Sequence, residues 1–167
     1  SKTAVPLIKK FNNVIVLRTF SKAFGVPSIR AGYTLSNKEN MQIISKARIS
    51  HELSSVSIAV AEYLLDNYSL IKKNSKKIIH SRKIIKKRLK ELGLECRSQF
   101  GNYALIKFNN AKEAIQVVKF LRKKFIYVKG PFPKPWDFYI NISIGPIVLM
   151  KRFLLELSNA KKRKLFN

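Results

Sequence analysis

The chain has 167 residues, 46% hydrophobic and 11% aromatic, with only 6 Gly and 6 Pro; this is enough apolar material for a packed core and excludes disordered or collagen-like sequence. Its 34 Lys and Arg against 9 Asp and Glu give a formal net charge of +25 and a pI near 10.4. A single Cys and two scattered His exclude a disulfide framework and a multi-cysteine metal site, no apolar run approaches the roughly 18 residues of a membrane span, and nothing near Ser1 reads as a signal peptide, so the expectation is a soluble α/β protein of a reducing, cytoplasmic compartment.

The charge invites a nucleic-acid reading. Yet 25 of the cations are Lys and 9 are Arg, and they are spread along most of the chain. A groove for phosphates concentrates Arg among aromatics, because the guanidinium stacks and pairs bidentately. The mixture is what a general bias toward Lys, Ile and Asn produces, and no specific nucleic-acid partner is expected.

In chain order, the first element is Asn13 to Phe20. Its continuously apolar core, Val14 to Leu17, suits a parallel strand covered on both faces. A turn-rich passage from Ser21 leads to a second strand-like stretch, Arg30 to Leu35. Ser36 and Asn37 can cap a helix whose apolar positions are Met41, Ile44, Ala47 and Ile49. Another helix is expected from about Ser55 to Asp66, burying Ile58, Ala59, Ala61, Leu64 and Leu65. Leu70 to Leu92 reads as one long amphipathic helix, with Ile71, Ile78, Ile85, Leu89 and Leu92 on one face, ended by Gly93. Short elements follow: a strand at Tyr103 to Phe108, a helix at Ala111 to Lys123, and a strand at Phe125 to Val128. Gly130 to Trp136 is a loop, and Phe138 to Ile144 alternates as a half-buried strand. Pro146 suits the first turn of a last helix reaching Leu157. The basic stretch Lys161 to Lys164 is expected to be solvated and frayed.

The passage Thr19-Phe-Ser-Lys-Ala-Phe-Gly-Val-Pro-Ser-Ile-Arg30-Ala-Gly-Tyr33 carries the chemistry. It places Lys22 at the end of a buried strand, after two hydroxyls and eight residues before an arginine. A lysine in such a site lowers its desolvation cost by condensing with a carbonyl or by pairing an anion. Two hydroxyls and a guanidinium can form a phosphate clamp. From the residues alone, a strand-end lysine reaching solvent, with Arg30 an ordinary surface residue, stays open.

The same stretch resembles the lysine signature of fold-type I pyridoxal-phosphate aminotransferases, specifically the histidinol-phosphate aminotransferase branch, whose pattern runs Thr/Ser, any, Ser, Lys, small, Phe, Gly, then Arg, any, Gly. The resemblance covers essentially the entire chain. Gly101-Asn102-Tyr103 is similar to the Asn-Phe element that opens the family's small-domain sheet, and Ile140-Asn-Ile-Ser-Ile-Gly145 to its Leu-Arg-Ile-Thr-Val-Gly strand. The implied fold is α/β: residues 1–70 as the C-terminal part of a large cofactor-binding domain with a mostly parallel sheet, and residues 71–167 as a long connecting helix and a small α+β domain. The resemblance implies pyridoxal phosphate on Lys22, its phosphate held by Arg30 with the Thr19 and Ser21 hydroxyls, an amino donor and a 2-oxo acid as substrates, a homodimer completing the active site, no membrane, and no metal. A decarboxylase on the same scaffold, and a noncatalytic basic fragment that binds nucleic acid, are the alternatives.

Two departures from the family matter. Its upstream elements, a Gly-rich phosphate loop and an Asp-Glu-Ala-Tyr segment, have no counterpart here, and Ser1 to Lys9 looks like the piece just after that segment. The chain is therefore expected to be the C-terminal part of such an enzyme, inactive alone. Second, Asn141 stands where the family usually has the Arg that binds the substrate's anionic group. Lys129 or Lys134 in the neighbouring loop can supply the missing charge, with Asn102 nearby. Cys96 reads as a small, partly buried side chain with no partnered base, His51 and His80 as surface or interface residues, and Trp136 as a loop anchor.

Overall fold

A computed structural model describes residues 3–50 and 52–167, leaving Ser1, Lys2 and His51 outside the described residues. The chain divides into a first unit ending at Lys73 and a second spanning Asn74–Asn167.

In the first unit, β1 (Val16–Thr19) and β2 (Gly32–Leu35) pair antiparallel, with Val16 opposite Leu35 and Thr19 opposite Gly32. Among the described residues the partner of Val16–Thr19 is antiparallel, where the sequence suggests a parallel one. Parallel neighbours need a crossover, usually a helix, whereas the segment between these strands holds only a 3-10 turn at Pro27–Ile29 and is closed by the Phe20 amide donating to the Ala31 carbonyl at 3.1 Å. The expected cover on both faces is also absent among the described residues, since Leu17 is 75% exposed. Helix α1 (Lys38–Ser45) starts as its sequence suggests, with the Asn37 side chain accepting from the Asn40 amide at 2.9 Å. It ends before Ala47 and Ile49, which lie outside it. Helix α2 (Ser55–Asp66) is capped by Ser54, but of its residues only Ser57 is buried. Ile58 and Leu65, expected inside, are exposed because no apolar layer covers them among the described residues.

Helix α3 (Tyr68–Glu91) begins in the first unit and continues into the second. Ile71, Ile85 and Leu89 are buried along its expected face. Past its end, Leu94 N–H donates to the Leu89 carbonyl and Gly93 N–H to the Lys90 carbonyl. This six-to-one, five-to-two pair requires a left-handed residue, supplied by Gly93 at φ +78°.

The second unit is built on the antiparallel sheet β3 (Glu95–Arg97), β4 (Tyr103–Lys107) and β5 (Tyr139–Ser143), with β4 central. Ala104, Ile106, Ile140 and Ile142 join Ile85 and Leu89 of α3 in one core with Val117 and Leu121 of α4 (Ala111–Lys123) and Leu154 and Leu157 of α5 (Ile147–Lys162). Each of the Val, Leu and Ile side chains, fully buried, is worth about 1.5–3 kcal/mol. Helix α4 has the expected bounds and a reciprocal cap: Asn110 accepts from the Glu113 amide, and Glu113 accepts from the Asn109 amide.

Three expectations are corrected here. Phe125 to Val128 is not a strand: the chain leaves α4 through Phe125 at φ +56°, and only Lys129 bridges to β5. Helix α5 runs past Leu157 to Lys162, and Pro146 is its N-cap. The basic terminus is anchored: Lys161 Nζ donates to the Leu92 carbonyl at 2.7 Å, Arg163 lies over the Phe120 ring, and Phe166 is buried edge-on against Phe108. Two apolar residues beyond the last cation, Leu165 and Phe166, pull the tail onto the core.

Candidate active site

The lysine-bearing loop is the excursion between β1 and β2. Phe20 is its foundation: nearly fully buried, with its ring 4.5 Å from Phe24 and 6.1 Å from Tyr33, and Phe24 in turn 6.2 Å from Tyr68. Above this aromatic base the chain turns at Lys22, whose carbonyl accepts from the Gly25 amide at 3.1 Å, while the Val26 amide returns to the Phe20 carbonyl at 3.2 Å. Gly25 stands at φ +76°, which a side chain rarely adopts.

The structure brings two of the four expected cofactor residues into direct contact. Thr19 Oγ1 donates to Ser21 Oγ at 3.0 Å and accepts from the Ser21 amide at 3.1 Å. Lys22 follows at once in the chain. Its ammonium is exposed and has no hydrogen-bond or ion-pair partner among the described residues. The desolvated lysine read from the sequence is therefore corrected for this chain: β1 is an exposed strand, so water reaches its end. Arg30 is likewise exposed, and its guanidinium donates to the Pro27 carbonyl at 3.2 Å. Its backbone is left-handed at φ +52°, ψ +28°, which turns the chain out of the 3-10 segment toward β2. With one donor on Pro27, the guanidinium keeps its other N–H groups free. From Thr19 to Tyr33 the sequence holds no acidic residue, so the loop presents an amine, a guanidinium and hydroxyls with nothing to neutralise them. That set can hold a phosphate and react with a carbonyl.

The other expected residues lie in the second unit. Asn141, on β5, faces away from Ile140 and Ile142, which enter the core. Across β4 it opposes Leu105. On its other side Lys129 and Asn141 exchange both backbone hydrogen bonds, at 2.9 and 2.7 Å. Directly opposed residues share a sheet face, so Lys129 and Asn141 are neighbours on the face turned from the core. The Asn102 carbonyl accepts from the Ile144 amide at 2.7 Å, tying the turn before β4 to the end of β5. Lys134 is exposed in the 130–136 loop. Trp136 is 57% exposed, its ring 5.7 Å from Tyr139.

Sequence reading passes over three supports: Phe20 beneath the loop, the Pro27 carbonyl that steadies Arg30, and Arg97, which shares the outer face of the sheet opposite Leu105. Only the last leaves a signal, the alternation Glu95-Cys96-Arg97. Arg97 is engaged by Glu95 at 2.8 Å, and that hydrogen bond holds the Glu95 carboxyl below its ordinary value. Cys96 is half-buried; burial pushes its thiol above the ordinary range, against a smaller downward pull from Lys86. A thiol so placed is a packing group rather than a nucleophile.

Known proteins share both sequence and fold with this chain. It is 34% identical over 129 residues to the histidinol-phosphate aminotransferase of Ruminiclostridium cellulolyticum, a match covering 77% of this chain and 35% of that protein. The histidinol-phosphate aminotransferase of Clostridium acetobutylicum superposes with a TM-score of 0.86 at 22% identity, over 96% of this chain and 49% of that one. The enzyme of that name from Sinorhizobium meliloti, solved in complex with pyridoxal-5'-phosphate, is 30% identical with a TM-score of 0.77, over 90% of this chain and 42% of that one. The chain thus spans less than half the length of these relatives. The family model for aminotransferase class I and II matches residues 1–151, and the chain belongs to that family.

Proposed function

We propose that this chain is the lysine-bearing part of a pyridoxal-phosphate-dependent aminotransferase of the histidinol-phosphate type, with residues 1–70 the C-terminal part of its cofactor-binding domain and residues 71–167 its connecting helix and small domain. The observation that carries this reading is the hydroxyl pair Thr19–Ser21 set immediately before Lys22 on a loop free of acidic residues. The division of the chain near Lys73 supports the domain assignment, and the names borne by its relatives support the activity.

The residues present fit the cofactor. A phosphate dianion needs donors and positive charge, which Ser21, Thr19 and Arg30 offer; a carbonyl needs a primary amine, which Lys22 offers. Bound there, pyridoxal phosphate supplies an electron sink for the carbon next to the substrate's nitrogen. Lys22 Nζ then has two duties: to hold the cofactor, and, when neutral and free, to take and return the proton on that carbon. Arg30 holds the phosphate and takes no part in proton transfer. In the second unit, Lys129 beside Asn141 offers the positive charge that Asn141 lacks, so the substrate's anionic group is assigned to this pair, with Asn102 at the adjoining strand end and Lys134 the lesser candidate. The complete protein is proposed to be a cytoplasmic homodimer using a small, possibly phosphorylated, amine or amino acid and a 2-oxo acid. The exposure of Leu17, Ile49 and Val56 at 72–75% supports further protein covering the first unit.

The test is made on the full-length protein. Borohydride reduction, digestion and mass spectrometry should find the cofactor on Lys22, and Lys22→Ala should remove its absorption band. Cofactor on another lysine, or on none, defeats the reading. Release of keto product without carbon dioxide separates amino transfer from decarboxylation.

A further inference from the structure

The second unit holds a cavity of about 620 Å³ beside β3, an outer strand of its sheet. Leu105 and the rings of Phe100 and Tyr103 supply its apolar wall, and Lys86 of α3 and Arg97 of β3 its cations. Lys129, Asn141 and Asn102, assigned above to the substrate, are not among its lining residues.

The loop that carries Phe100 is held from both sides. Arg82 of α3 donates to the Gln99 carbonyl at 3.2 Å and, from its other terminal nitrogen, to the Gly101 carbonyl. The buried Ser98 hydroxyl closes the loop by donating to the Tyr103 carbonyl at 2.7 Å. Gly101 makes the turn at φ +75°, and a Cβ built on it would stand 3.1 Å from the Tyr103 ring, so the ring lies against the glycine. Phe100 is nevertheless 78% exposed. A benzyl group left in water gives up the stabilisation of burial, and this one sits on a backbone pinned at both neighbours.

The charge of the lining is one-sided. No acidic residue belongs to it. Among the described residues no carboxylate pairs with Lys86, and Arg97 meets Glu95 through its Nε at 2.8 Å. Glu95 is shared with Lys107 at 3.6 Å, so it neutralises only part of this charge. A guanidinium has five N–H donors, and the terminal ones of Arg97 form a fork suited to the oxygens of a carboxylate or phosphate. The exposed rings beside it offer faces and edges to a flat partner. A cation would add to the uncompensated charge, and a neutral ligand would leave it unmet.

We propose that this cavity binds a small aromatic anion, with its carboxylate or phosphate oxygens on Arg97 and Lys86 and its ring against Phe100 and Tyr103. The inference does not depend on the reading of the Lys22 loop.

The experiment is a fluorescence titration of the full-length protein with 1-naphthyl phosphate and with 1-naphthoate. The controls are 1-naphthol, which lacks the charge, and 1-naphthylmethylamine, which reverses it. Either or both anions should saturate one site, roughly tenfold tighter than the two controls. Arg97→Gln and Phe100→Ala should each weaken the bound anion roughly tenfold, and Lys86→Gln severalfold. Phe100→Trp should bind as the parent does. The Arg97 side chain is 63% exposed and Phe100 more so, so these variants should keep the parent's denaturation midpoint. Lys129→Met and Arg30→Ala should leave the affinity unchanged. No saturable binding of either anion, equal binding of the naphthol or the amine, or no loss in Arg97→Gln and Phe100→Ala overturns the inference. So does a loss in Lys129→Met or Arg30→Ala equal to that in Arg97→Gln, because the probe then occupies the proposed substrate or cofactor-phosphate site; that outcome leaves the proposed function standing. Failure to find cofactor on Lys22 would defeat the proposed function and leave this site untouched.

Discussion

Gly32 passes beneath Arg18 so closely that a Cβ built on it stands 2.7 Å from the Arg18 carbonyl oxygen. The backbones of β1 and β2 meet there without room for a side chain, at the pairing of Gly32 with Thr19, which carries the hydroxyl network. Gly32→Ala must push the strands apart. The expected loss is about 1–3 kcal/mol of stability, read as a lowered denaturation midpoint. An unchanged midpoint would show that the stems of the loop are looser than the structure has them.

Arg30 combines the guanidinium proposed to hold phosphate with an unfavourable backbone. A left-handed non-glycine residue costs on the order of 1 kcal/mol. Arg30→Gly and Arg30→Ala should both weaken cofactor retention, by about 1.5–3 kcal/mol for a lost charge-assisted phosphate contact. Without cofactor, however, the glycine variant should be the more stable of the two. Equal retention in parent and variants would take Arg30 out of the phosphate site.

Lys129 and Lys134 are distinguishable. Because Lys129 is the hydrogen-bonded neighbour of Asn141, Lys129→Met should raise KM for an anionic amino donor roughly tenfold, with Lys134→Met near the parent. Asn141→Arg should restore the loss in the Lys129→Met background. The reverse ranking of the two lysines would assign anion recognition to the 130–136 loop instead.

Lys161 closes the end of α3 from the other end of the chain, its ammonium on the Leu92 carbonyl at 2.7 Å. Lys161→Met keeps the aliphatic stem but leaves that carbonyl unpaired, which should cost on the order of 1 kcal/mol. Hydrogen exchange at the Gly93 and Leu94 amides, which form the cap, should quicken in the variant.

Cys96 makes a pH prediction. Burial raises its thiol above the ordinary range, so the unfolded chain ionises first as pH rises. Below the ordinary thiol range both states are neutral and Cys96 contributes no pH dependence. As pH climbs through that range, stability falls, and Cys96→Ala should flatten this decline. Iodoacetamide should modify the native thiol more slowly than a free thiol at pH 8, and a faster reaction would contradict its placement.

Much of the core of the second unit was legible because its signals are local. Asn110 and Glu113 announce the start of α4, Gly93 the end of α3, and Ile85 and Leu89 the buried stripe, each within a turn or two of the chain. The Thr19-to-Tyr33 motif was legible for the same reason: amine, hydroxyls and guanidinium sit on one short stretch of chain, which carries the resemblance to the family. The tertiary structure alone decided what depends on residues distant in sequence. The apolar run at Val14 to Leu17 reads alike for a parallel and an antiparallel strand, and only the closure of Phe20 onto Ala31 makes it antiparallel. Lys22 has one sequence context, but its exposure is set by what covers β1. The cations at the C-terminus read as a solvated tail until Phe166 finds Phe108, and Lys129 and Asn141, twelve residues apart, become neighbours only when the sheet forms. Hydrogen-bond partners and burial are properties of the assembled chain, because each needs a second surface whose position no local pattern contains.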